Sequence, residues 1–182
     1  MANALTTMRL ALALPVAAAL ARPGLLAPGV VALLVGLAIA SDYLDGPLAR
    51  RTGTASARGM LFDHGTDCLF VTGGLAGVAI AGSITPILPL LIPLAFGQYV
   101  VDSYVWHRQR QLRASFLGRW NGILYFVPLV LVAAARLPIP SGFASFLRLA
   151  TSTLAYLLAA STVASIVDRA TTPSGSRAQT KV

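Results

Sequence analysis

Charged residues in this chain are gathered into short breaks between six apolar runs, at about residues 5–21, 25–44, 59–82, 86–107, 118–136 and 142–168. A helix needs about 20 apolar residues to cross the hydrocarbon core of a bilayer, and most of these runs are close to that length. With 56% hydrophobic and 11% charged residues and a mean hydropathy of +0.74, the 182-residue chain lies outside the range of ordinary soluble domains. The expected fold is all-α: a polytopic membrane protein with six transmembrane helices, residues 1–170 forming a single domain. From Thr171 onward the chain is rich in Thr, Ser, Gly and basic residues, so 171–182 is expected to be a disordered tail.

The first run is the weakest, because its uncharged stretch between Arg9 and Arg22 is short and contains Pro15. A cleaved secretory signal, with Ala19-Leu20-Ala21 as a small-residue cleavage site, is the rival reading of 1–22. Against it, the only basic residue ahead of the apolar stretch is Arg9, and a second run follows almost at once. The single Cys68 forms no intrachain disulfide and reads as a helix-packing residue.

A net charge of +8 raises the question of nucleic acid, but the basic residues alternate with apolar runs and form no long tract interleaved with aromatics. No nucleic-acid partner is expected. Six spans put both termini on one side together with the breaks at 45–58 and 108–117. That side holds Arg9, Arg50, Arg51, Arg58, Arg108, Arg110, Arg113, Arg119, Arg169, Arg177 and Lys181, eleven of the fourteen basic residues, and leaves Arg22, Arg136 and Arg148 opposite. The positive-inside rule makes the richer side cytoplasmic, in a multi-pass protein of the cell (inner) membrane. In the third run Gly73 and Gly77 stand at G-x-x-x-G spacing, which permits close helix approach, either within the chain or across a dimer.

Four of the six acidic residues fall between 42 and 67. Asp42 and Asp45 are three apart, Asp63 and Asp67 four apart, so each pair shares a helix face. The pairs lie at the cytoplasmic ends of consecutive antiparallel spans, where they can face one another. Carboxylates crowded near a membrane repel unless a cation joins them, and an all-oxygen donor set suits Mg²⁺ or Mn²⁺. The plainer alternative, neutralisation by Arg50, Arg51 and Arg58, requires neither this spacing nor the glycines. Gly46 leaves the turn after Asp45 open to a ligand, Gly59 removes a side chain one turn before Asp63, and Arg50 offers a phosphate partner.

The run D-x-x-D-G-x-x-A-R, then eight residues, then G-x-x-x-D-x-x-x-D, resembles the signature of the CDP-alcohol phosphotransferase family, filled here by Asp42, Asp45, Gly46, Ala49, Arg50, Gly59, Asp63 and Asp67. Asn3-Ala4-Leu5-Thr6 with Arg9, and Leu117-Gly118-Arg119-Trp120, are similar to looser features of the same family. The resemblance implies that Asp42, Asp45, Asp63 and Asp67 hold one or two divalent ions, with Asp67 also the general base. Gly46, Ala49, Arg50 and Gly59 would meet a CDP-linked donor, with Ser56 and Thr6 as further candidates. It also implies a homodimer and a reaction in which an acceptor hydroxyl displaces CMP, making this an enzyme of phospholipid biosynthesis.

Arg119, Arg110 and Arg113 are candidates for an acceptor phosphate, which favours CDP-diacylglycerol as donor and glycerol 3-phosphate as acceptor; orienting the spans and meeting lipid headgroups would use the same charges. Asp63-His64-Gly65 is similar to the stretch in CDP-choline and CDP-ethanolamine transferases that use diacylglycerol, which keeps that pairing as the alternative. His64 beside a ligating Asp reads as a supporting group. Asp102 is an acid inside a span, either near the acceptor or paired with a loop arginine, and Asp168–Arg169 reads as a solvated pair. A divalent-cation transporter is a rival of another class, but its acids would sit near the midplane, often in two repeats, whereas these cluster once at one end. A silent scaffold held by a metal is a further rival, disfavoured by the intact Asp67.

Overall fold

The computed structural model describes residues 2–51, 56–102 and 116–171, and among these every regular element is a helix. They are α1 (Ala2–Ala21), α2 (Pro28–Arg51), α3 (Ala57–Ile80), α4 (Ile87–Val101), α5 (Phe116–Leu124), α6 (Phe126–Ala135) and α7 (Ser141–Thr171). Over the described residues the six apolar runs fall on these helices. Arg108, Arg110 and Arg113 and the tail beyond Thr171 lie outside the described residues.

Local chemistry explains the ends. Pro28 opens α2 at the position where its missing N–H costs no helical bond. Ser56 caps α3, its hydroxyl accepting the Gly59 N–H at 3.0 Å. That helix stops at a left-handed Gly82 (φ +73°), with the Gly82 N–H on Ala79 O and the Ser83 N–H on Val78 O, a Schellman turn.

Two helices depart from expectation. The fifth run is broken at Tyr125 into α5 and α6, because Pro128 has no N–H for the Leu124 carbonyl and its ring crowds that turn. Past its expected end, α2 continues through Gly46 to Arg51, so Gly46 lies in a helix rather than a turn. Residues 48–51, Leu-Ala-Arg-Arg, are strong helix formers that carry it on.

Three stretches are long and apolar enough to cross a membrane, Ala4–Ala21, Leu117–Ala135 and Ser141–Thr171; Pro28–Leu44 and Ile87–Val101 are shorter apolar helices. The surface argues the same way. Leu14, Ile80, Leu90 and Leu149 are between 66% and 79% exposed, while Arg9, Asn121, Thr151, Thr162 and Ser165 are buried. Apolar residues outside and polar ones inside is a surface made for lipid, where small and hydroxyl residues join helices. The chain is a membrane protein of all-helical architecture.

One apolar core joins α1, α2, α3, α4, α6 and α7 through Val16, Leu20, Val35, Phe70, Leu75, Leu88, Leu129 and Leu158. Phe70 stacks on Phe126 at a centroid distance of 6.1 Å. Polar ties reinforce it: the Tyr125 and Thr162 hydroxyls lie 2.7 Å apart, and Ser161 Oγ donates to Asn121 Oδ1 at 2.8 Å. Helix α1 is an integral part of this core and packs most extensively on α3. A Cβ on Gly77 would run into the Ala17 carbonyl oxygen, and would lie 3.1 Å from the Ala21 nitrogen, so the absence of a side chain lets the two backbones touch. Gly73 faces the same helix, a Cβ there standing 3.7 Å from Ala17 Cβ. The close approach made possible by this G-x-x-x-G pair is therefore intrachain. Because Arg9 meets Asp67 and Ala17 meets Gly77, α1 and α3 run parallel, with α2 antiparallel to both.

Candidate active site

The acidic motif is assembled by three helices. From α2 comes Asp42, 14 residues into a helix whose direction is opposite to that of α3. From α3 come Asp63 and Asp67, four apart and so on one face, half-buried against the bundle. From α1 comes a group that the spacing argument did not count, Arg9, whose side chain is fully buried.

Arg9 Nη1 lies 3.2 Å from Asp42 Oδ1, 3.2 Å from Asp63 Oδ1, and in direct contact with Asp67 Oδ1. Its Nε is turned to Ser41 Oγ at 3.4 Å, and that hydroxyl in turn donates to the Ala38 carbonyl at 2.8 Å. Three carboxylates from two antiparallel helices thus converge on one cationic nitrogen. A lone guanidinium cannot balance three anions, and the low dielectric of the surroundings raises the cost of the excess. Among the described side chains, the positive charge at that point falls short of the negative.

The donor set fits a divalent ion. Oxygens of Asp63 and Asp67 and a ring nitrogen of His64 lie within 4.8 Å of one another, and Asp42 adds a further oxygen from across the cleft. Carboxylates of this kind suit Mg²⁺ or Mn²⁺. His64, read from the sequence as a supporting group, lies within reach of both carboxylates.

The remaining candidates are distributed as follows. Asp45, Gly46, Ala49 and Arg50 lie on the last turns of α2, beyond Asp42 on the same helix, where side-chain positions are outside the described structure, as they are for Arg51 and Arg58. Ser56 and Gly59 form the start of α3, the Ser56 hydroxyl being engaged as its cap. Thr6 is buried one turn before Arg9. Arg119 is exposed on α5. Asp102 closes α4, and Arg169 stacks over the Tyr99 ring at 5.0 Å. The sequence did carry a signal for Arg9: a charge inside an apolar run is by default a functional group, and its spacing from Thr6 puts both on one face.

Comparison with known proteins points to one family. The sequence profile of the CDP-alcohol phosphatidyltransferase family matches residues 1–168. The CDP-diacylglycerol–glycerol-3-phosphate 3-phosphatidyltransferase of Mycoplasma genitalium is 33% identical over 108 residues, covering 55% of this chain and 45% of the relative. That match spans less than half of the relative's length. No solved structure matches the chain. With the profile running through the seven described helices as far as residue 168 and Asp42, Asp63 and Asp67 of the signature gathered at one point, the chain belongs to the CDP-alcohol phosphatidyltransferase family.

Proposed function

We propose that this protein transfers a phosphatidyl group from CDP-diacylglycerol to a hydroxyl acceptor, glycerol 3-phosphate, releasing CMP. The observation that carries the reading is the convergence of Asp42, Asp63 and Asp67 on a single cationic point, in the spacing of the family signature. The donor and acceptor are those named for the Mycoplasma genitalium relative. In this reading the chain crosses the inner membrane six times, with α1, α2, α3, α4, α5 plus α6, and α7 as the spans, and the site lies at the cytoplasmic ends of α2 and α3 with both termini cytoplasmic; the distribution of basic residues supports this orientation. The active unit is a homodimer.

Asp42, Asp45, Asp63 and Asp67 hold one or two divalent ions, Mg²⁺ or Mn²⁺. When bound, such an ion neutralises charge on the diphosphate and its leaving group. Arg50 grips the diphosphate, and Gly46, Ala49 and Gly59 leave room for the cytidine end, with Ser56 and Thr6 at its margin. Arg119, with Arg110 and Arg113, meets the acceptor phosphate. The acceptor oxygen forms its bond to the β-phosphorus as the bond from that phosphorus to the bridging oxygen breaks. CMP departs with the electron pair, and the hydroxyl proton passes to Asp67.

The stretch Asp63-His64-Gly65, similar to that of transferases using CDP-choline or CDP-ethanolamine, is the ground for a second pairing, a CDP-aminoalcohol with diacylglycerol. The test is CMP release from purified, detergent-solubilised protein with Mg²⁺ or Mn²⁺, offering CDP-diacylglycerol and CDP-choline separately against a panel of acceptors. Acceptor-dependent CMP from CDP-diacylglycerol, lowered about 10²–10⁴-fold in Asp67→Asn, is the expected result. CMP from CDP-choline alone would transfer the assignment to the second pairing. Metal uptake into vesicles with no CMP from either donor would make the protein a cation carrier.

A further inference from the structure

Arg9 is the most completely buried charge among the described residues, and it occupies the point at which the acids meet. We propose that Arg9 is a built-in substitute for the divalent ion: its guanidinium holds the acidic residues together in the metal-free protein and must turn away from them when metal binds. The inference rests on the metal-dependent reading above.

The argument is one of space and charge. A magnesium-sized ion sits about 2.0–2.1 Å from its oxygens. Nη1 already lies 3.2 Å from Asp42 Oδ1 and from Asp63 Oδ1 while touching Asp67. An ion bridging these same oxygens would require the place that Nη1 fills, and two cations cannot share it. Without either cation, three carboxylates would face one another half-buried, so an empty site is the least stable state of the three. The guanidinium is a rigid plane, so turning it away from the acids also gives up the contact of Nε with Ser41 Oγ, a long one at 3.4 Å, while that hydroxyl keeps its own bond to Ala38 O. The cation comes from α1 and the acids from α2 and α3, so the contact also fastens three helices together before any metal arrives.

Two consequences separate this role from that of a simple structural ion pair or a substrate-binding arginine. Removing Arg9 destabilises the metal-free protein far more than the loaded one. It also tightens metal binding, because the ion no longer displaces a competitor. The test uses the full-length protein in detergent, purified with Mn²⁺ and then stripped with EDTA, as wild type, Arg9→Gln and Arg9→Lys. Thermal unfolding is followed with and without Mn²⁺, and bound Mn²⁺ is titrated by electron paramagnetic resonance. Arg9→Gln is expected to melt well below wild type in EDTA, to recover most of the loss in Mn²⁺, and to bind Mn²⁺ on the order of tenfold more tightly, the usual scale for two ligands coupled through one site. Arg9→Lys keeps the charge on a different head and falls between the two.

Unchanged or weaker Mn²⁺ binding in Arg9→Gln would overturn the proposal, as would a variant that saturating Mn²⁺ fails to restore. If wild-type protein binds no Mn²⁺ at all, the metal-dependent reading itself fails. Mn²⁺ binding and CMP release in wild type without tightening in Arg9→Gln would remove only the inference about Arg9.

Discussion

Replacing Gly77 by alanine is the sharpest test of how this fold positions its acidic site. The added methyl would penetrate the contact with the Ala17 carbonyl and crowd the Ala21 nitrogen at 3.1 Å, and both are backbone atoms that no rotamer change can move. Restoring ordinary contact distance requires α1 and α3 to part by about 1 Å. Overpacking of this kind costs about 1–3 kcal/mol, and a melting point falls by roughly 2–4 °C for each kcal/mol in a chain of this size. Asp67 lies ten residues before Gly77 on α3, about 15 Å along the axis, and Arg9 is on the displaced α1, so the shift also reaches the site. A misplacement of about 1 Å there costs on the order of 10²-fold in rate. Gly73→Ala is the matched control from the same motif: its methyl would meet Ala17 Cβ at 3.7 Å, ordinary contact, with a change within about 0.5 kcal/mol. Gly74→Ala should fall between, because its nearest neighbour, Leu129 Cδ2 at 2.9 Å, is the end of a flexible side chain. Thermal unfolding in detergent and CMP release, measured on all three, decide the matter. Equal damage at Gly73 and Gly77, or dimer dissociation with the monomer's melting unaffected, would refute the intrachain account.

Arg136 reaches back from the end of α6 to donate to Ala19 O at 2.8 Å and Leu20 O at 2.6 Å, the last carbonyls of α1. Arg136→Met should therefore lower stability by about 1–3 kcal/mol, read from thermal unfolding in detergent, and a wild-type melting curve would show that the cap is dispensable. Ser56→Ala removes the hydroxyl that receives the Gly59 N–H, so about 1 kcal/mol should be lost and amide exchange should quicken over the first turn of α3. A Ser56→Ala protein with unchanged exchange there but a raised KM for donor would instead assign that hydroxyl to the substrate.

Much of this protein was legible because its physics is local. A run of apolar residues between charges determines a helix in lipid whatever its neighbours do, and the six runs are all helical over the described residues. The acidic residues were equally readable: three-residue and four-residue spacings put each pair on one helix face, and Asp63 and Asp67 do lie together. The break at Tyr125 was also written locally, in Pro128, although hydropathy alone passes over it.

What escaped the sequence is what depends on pairing between distant segments. The side chains of Arg50, Arg51 and Arg58, close in the chain, lie outside the described structure; among the described residues Asp42, Asp63 and Asp67 meet Arg9, 33 to 58 residues away on α1. The same packing decided that Gly73 and Gly77 receive α1 and not a second copy, and that Arg136 caps a helix more than a hundred residues earlier. Periodicity determines which face of a helix is polar or small because that repeats every few residues; which other helix fills the face is set by the three-dimensional fit of side chains that are neighbours only after folding.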